Sequence, residues 1–273
     1  MITKQRKTTP TVLSLNALDP SGMTGLHADI ETCASVGAHC LSVASAIMAR
    51  DTQEIKEIVP VDPGLVVAQT RALLEDIPVS VIKSGILASV ENIEVLHSIL
   101  IDYPDLKLII EPDTLSGEPI NQREINNQSQ AIKALLMPKA CFVVMNYNHA
   151  YKLSTSADTL DACAAEIVDS GCEHLLITGL PANPEQVTCK LFGERGFIRG
   201  FKANSYQSAP PGANAIFSAC VAAYLAHGMQ IQECVAVAQQ FTREAINQAR
   251  YLGMGQAVTN RMHWAADNNK NKA

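Results

Sequence analysis

Between residues 12 and 250, apolar runs of strand length alternate with segments of helical period, and few folds satisfy that order. Val12–Leu18, Leu41–Ala46, Val79–Lys83, Leu106–Glu111, Cys141–Asn146 and His174–Thr178 are short and rich in Val, Ile or Leu. Strands covered on both faces have that composition, so the six predict one parallel sheet. Helices are expected between them over Thr24–Val36, Pro63–Leu74, Ser89–Ile101, Gln122–Leu136 and Ser156–Asp169, with Asp62 capping the second. Ile216–Ala226 reads as a small-residue helix, and Ile231–Arg250 carries the strongest apolar stripe. The class is α/β.

Two stretches depart from the pattern. Glu54–Val61 alternates polar and apolar residues, and Val187–Phe201 reads as a hairpin around Gly193-Glu194-Arg195-Gly196, so both are expected as antiparallel additions. No repeat or linker divides the chain, which predicts one domain over 1–273 with frayed ends at about 1–10 and 266–273. The formal charge of -6 and the lack of a basic run beyond Lys4-Gln5-Arg6-Lys7 argue against nucleic acid. Val12–Leu18 is too short for a membrane span or signal core, so the expectation is a cytoplasmic protein without a membrane partner. Eight cysteines without a CxxC pair suggest small buried hydrophobes rather than disulfides or zinc ligands.

In an open α/β sheet a ligand sits beyond the carboxyl ends of the strands. The residues there are Asp19-Pro20-Ser21-Gly22, Arg50-Asp51-Thr52, Ser84-Gly85-Ile86, Glu111-Pro112-Asp113, Asn146-Tyr147-Asn148-His149 and Thr178-Gly179. Neither a GxxxxGK[ST] loop nor a strand-linked GxGxxG is present. Pro210-Pro211-Gly212-Ala213-Asn214-Ala215 precedes a helix, whose first amides and positive dipole end form a candidate anion site. His27 and His149 lie near these turns, and neither has a His or Cys at ligand spacing, so no transition-metal site is expected.

The run from Asp19 to Asp29, DPSGMTGLHAD, resembles the DPSGGAGIQAD segment of hydroxymethylpyrimidine and phosphomethylpyrimidine kinases, ribokinase-like enzymes of thiamine biosynthesis. The likeness continues through Gly37-Ala38, Ala49-Arg50-Asp51-Thr52, Lys83-Ser84-Gly85-Ile86-Leu87, Glu111-Pro112, Asn146 and Gly212–Ala219. It implies a central, mainly parallel sheet with helices on both faces, a small β lid and frequently a homodimer. It further implies ATP and Mg²⁺ as cofactors, and γ-phosphoryl transfer to an aminopyrimidine alcohol or its phosphate. Carried over, Asp29, Thr24, Arg50, Ile86 and Asp113 would face the pyrimidine. Gly212, Ala213, Asn214 and Ala215 would form the anion hole, with Asn146, His149, Thr178 and Gly179 on the nucleotide side.

Departures cluster at these positions. The family motif GTGC ends here in Asn214-Ala215, so its cysteine is absent; the glutamate of TPNxxE is His149; KGGH reads Thr178-Gly179-Leu180-Pro181. Arg50 stands for glutamine, Thr24 for alanine, Ile86 for methionine and Asp113 for an aliphatic residue. Two expectations stay open: a kinase with impaired or shifted activity, or a non-catalytic relative that binds a pyrimidine-like or phosphorylated metabolite as a sensor or partner subunit. Arg50 and Asp113, two new charges of opposite sign, are expected to pair across the pocket.

Overall fold

The structure, a computed structural model, describes residues 9–112, 121–154, 157–181, 187–202 and 210–265. Its strands are β1 (Thr11–Leu18), β2 (His39–Arg50), β3 (Ile55–Pro60), β4 (Val81–Ser84), β5 (Lys107–Ile110), β6 (Ala140–Asn146), β7 (His174–Thr178), β8 (Val187–Gly193) and β9 (Gly196–Lys202). They join one sheet in the order β3-β2-β1-β4-β5-β6-β7-β8-β9. The six strands expected to be parallel are parallel, and β3, β8 and β9 add antiparallel at the two edges.

Residues alternate between two cores because strand side chains alternate between faces. On β6, Val143 and Met145 enter a core with α3 (Val90–Asp102) and α6 (Leu160–Val168). Phe142 and Val144 enter the opposite one, with α1 (Gly25–Ser35), α7 (Ala213–Ala226) and α8 (Ile231–Asn247). A third cluster of Ala17, Ala46, Met48, Ile86 and Ala88 is built from the carboxyl-terminal halves of β1 and β2 and the residues after β4.

Helix boundaries follow local chemistry. Asp62 caps α2 (Pro63–Asp76) by accepting from Leu65 N–H at 3.1 Å, as its position before proline suggests. The segment expected as one helix to Leu136 instead divides into α4 (Gln122–Ala131) and a widened π turn over Ile132–Leu136. Pro138 follows, and a residue without an N–H cannot continue the ladder. A short helix not foreseen, α5 (Tyr147–Leu153), starts where the Asn146 side chain accepts from His149 N–H at 2.8 Å. Helix α7 starts three residues earlier than expected because Gly212 takes a left-handed conformation (φ 83°) as its N-cap.

Candidate functional site

The loop between β1 and α1 is folded around one carboxylate. Buried Asp19 accepts from Ser21 N–H (2.8 Å), Ser21 Oγ (2.6 Å) and Thr24 N–H (3.0 Å), which curls the chain into the start of α1. Gly25 closes the curl, since a Cβ there would lie 2.2 Å from the Ala17 carbonyl oxygen. Arg50, at the end of β2, places Nη1 3.3 Å from Asp19 Oδ2. Arg50 was expected to pair with Asp113, which lies outside the described residues; the partner found is Asp19, one strand away. Thr24 is the buried N-cap residue of α1. His27 is half exposed and 3.7 Å from Glu31.

Beneath this loop runs a buried polar chain. Lys83, in the middle of β4, donates to Asp29 Oδ1 (2.8 Å) and Glu111 Oε2 (2.9 Å), and Ser218 Oγ donates to Glu111 Oε2 (3.1 Å). Asp29 Oδ2 also accepts from Ser14 Oγ (2.6 Å) and Asn16 Nδ2 (2.9 Å). Burial works against the Lys83 charge, but Asp29 and Glu111 outweigh it and hold its pKa above the ordinary lysine value. Asp29, expected at the pyrimidine, is 1% exposed and faces this network because a buried ammonium requires its carboxylates. Asn16 Oδ1 accepts from Ala17 N–H and Ile86 N–H, both at 2.9 Å, in space that a side chain at residue 85 would fill. Ile86 is thereby buried in the third cluster.

The turn at Gly212 meets the same loop from above. A Cβ at Gly212 would stand 2.0 Å from the Met23 carbonyl oxygen, so only glycine permits this approach. Ala213 N–H turns back to Pro210 O (3.3 Å) and Ile216 N–H to Gly212 O (3.0 Å). Helix geometry gives the amides of Asn214 and Ala215 no acceptor within α7. Ala215 is fully buried. Asn214 Oδ1 accepts from Thr178 Oγ1 at 2.9 Å, joining two of the altered positions. Gly179 follows with φ 68°. His149 and Met145 line a cavity of about 490 Å³ with Pro112, Lys133 and Lys152.

Two positions escaped sequence reasoning. Asn16 lies within an apolar strand run, where a buried amide must find several partners. Arg261 is 2% exposed, and its Nη atoms donate to Gly22 O (2.7 Å) and Met23 O (2.6 Å). The first amides of α7, which have no acceptor within the helix, suit a polyphosphate. A divalent cation is served less well: Asp19 is engaged by Arg50, and Asp29 and Glu111 by Lys83. Among the described residues no three His, Cys, Asp or Glu side chains gather to hold a metal.

The family described as phosphomethylpyrimidine kinase matches residues 19–260. The chain is 29% identical over 267 residues to the hydroxymethylpyrimidine/phosphomethylpyrimidine kinase of Haemophilus influenzae, covering 93% of this chain and 96% of that one. It is 27% identical over 260 residues to a thiamine biosynthesis bifunctional protein of Geobacter sulfurreducens. The chain covers 94% of its own length there and spans about half of that longer relative, 53%. Among solved structures, Bacillus subtilis pyridoxal kinase in an ADP complex superposes with a TM-score of 0.85 at 22% identity, covering 94% of this chain and 99% of that one. The phosphomethylpyrimidine kinase of Clostridium difficile superposes at 0.72 with 24% identity, covering 86% and 100%.

Proposed function

The chain belongs to the phosphomethylpyrimidine kinase family and has the ribokinase-like fold, and from that premise we propose that it transfers the γ-phosphoryl of ATP to the phosphate of a phosphorylated aminopyrimidine, with the free alcohol a poor acceptor. Ala215 carries this reading. In a transfer to an alcohol, the acceptor oxygen must lose a proton as its bond to phosphorus forms and the bond to the ADP oxygen breaks. A buried methyl group at residue 215 takes no proton, whereas the family has a thiol there. A phosphate monoester is mostly ionised at neutral pH, so its oxygen attacks without a base.

In this reading the amides of Asn214 and Ala215 receive the charge of the transferring group, as preorganised backbone donors do. The turn is held for that task by the fit of Gly212 against Met23 O. Residues Asn146, His149, Thr178 and Gly179 would border the nucleotide, and Thr24 and Arg50 the acceptor. Mg²⁺ would supply charge neutralisation in a family kinase, but the carboxylates described above are already paired with cations, and no step is routed through it.

A second reading, a non-catalytic pyrimidine or phosphate sensor, is favoured by the Thr178–Asn214 hydrogen bond, which ties the nucleotide side to the anion turn. Calorimetry with ATP–Mg²⁺ and with each aminopyrimidine, followed by turnover assays, separates the two. The kinase reading expects ATP binding and turnover of the phosphate, with the alcohol slower by ~10²–10⁴. Binding of the pyrimidine without ATP would establish the sensor, and equal turnover of both acceptors would remove the argument from Ala215.

No helix among the described residues is long and apolar enough to cross a membrane, and a cytoplasmic location remains part of the proposal. The homodimer implied by the resemblance has a candidate surface. Leu18, Ile47 and Val59 lie in register across β1, β2 and β3 and are 44%, 53% and 52% exposed.

A further inference from the structure

Arg261 lies one residue beyond the segment that matches the family, yet its side chain is more deeply buried than any other arginine described. Three groups converge on it. Nη1 donates to Gly22 O and to Glu31 Oε2 (3.0 Å), and Nη2 donates to Met23 O. Its backbone is fixed as well, because Ser35 Oγ donates to Arg261 O (2.9 Å) and the preceding Asn260 N–H donates to Ala245 O (2.9 Å). The guanidinium therefore joins α1 to the loop between β1 and α1 (the acceptor loop), and the adjoining backbone ties α8 to the same point.

That point lies against the anion turn. Met23 O, which accepts from Nη2, is the same oxygen that a Cβ at Gly212 would strike, and that Cβ would stand 3.5 Å from Nη2 itself. A carbonyl oxygen pressed on the positive end of α7 would present negative potential to an incoming anion. A guanidinium donating to that oxygen offsets it, and in a buried setting the charge is screened little. Burial lowers the pKa of Arg261 below the usual guanidinium value, while Glu31 works in the opposite direction. The side chain stays charged, since an arginine does not deprotonate in such settings.

We propose that Arg261 is a positioning residue for the anion turn: it sets the acceptor loop against Gly212 and cancels the potential of the Met23 carbonyl there. The proposal rests on the turn binding a phosphoryl chain, as the kinase reading requires. It needs no turnover, so the two can fail separately.

The probe is inorganic tripolyphosphate, with binding measured by calorimetry and thermal melting recorded in parallel on the full chain. Arg261→Met is expected to weaken binding about tenfold, equivalent to the loss of one charge-assisted contact. Arg261→Lys should recover part of the loss, because a point charge remains but the planar fork over two carbonyls does not. Glu31→Gln keeps both carbonyl contacts and removes a partly exposed counter-charge, so binding should tighten about two- to threefold. Unchanged affinity in Arg261→Met overturns the proposal; if that variant fails to fold, Arg261→Lys decides it, and wild-type affinity there overturns it. Wild-type protein that binds tripolyphosphate but turns over nothing removes only the kinase reading. Wild-type protein that binds none removes both.

Discussion

Lys83 shows how a single residue can anchor a site that it does not enter. It is enclosed by two carboxylates and lies in the centre of a buried strand. Lys83→Met would leave Asp29 and Glu111 buried without a cation, and the expected loss is ~3–5 kcal/mol of unfolding free energy, measured by denaturant titration. At Ala215 the expectation concerns activity. Ala215→Cys alone should leave turnover of the alcohol below the ordinary kinase range of ~1–100 s⁻¹ in a coupled assay, because His149 and the Thr178–Asn214 bond persist. Rates within that range would show that the thiol alone had been limiting. The sequence placed Asp19, Arg50, Glu111 and Gly212 at strand ends and turns, and the structure keeps them there. It did not disclose who pairs with whom among the described residues. A charged residue within an apolar strand announces a partner, but Lys83 could have chosen among many carboxylates, and the Asp19 partner of Arg50 was not foreseen.

Among the elements, edge strands and helix ends carry the new information. The parallel strands were legible because burial on both faces demands continuous apolar runs, and the two antiparallel additions because their patterns broke that rule. That the hairpin joins the sheet by edge pairing with β7 is something periodicity does not encode. The row of Leu18, Ile47 and Val59 belongs to the opposite edge and supports a test of association. Ile47→Lys should shift a dimer toward monomer in sedimentation at micromolar concentration while leaving the melting temperature nearly unchanged, since residue 47 is half exposed. An unchanged sedimentation coefficient would exclude this face as the contact. Helix ends were the least legible: α7 begins where a left-handed glycine permits, and α4 yields to a π turn ahead of Pro138.

For the whole molecule, the two cores make stability depend on thiols remaining neutral. Burial pushes Cys172 and Cys234 up to about 11, and Cys141 up to about 12. Unfolded thiols ionise from about 9, so between pH 9 and 11 the unfolded chain sheds protons that the folded chain retains. Stability should therefore fall as pH rises through that window, and the raised Lys83 pKa adds to the fall above about 10.5, where the unfolded lysine sheds a proton that the folded one keeps. Thermal melts at pH 8, 9, 10 and 11 check this, and a flat profile would contradict it. The bond from Arg261 to Gly22 spans 239 positions. A ribosome adding ~5–20 residues per second needs on the order of ten to fifty seconds to cover that interval. Throughout that time the emerging loop between β1 and α1 lacks the guanidinium that fastens it, so this loop is held in place only after Arg261 has been made.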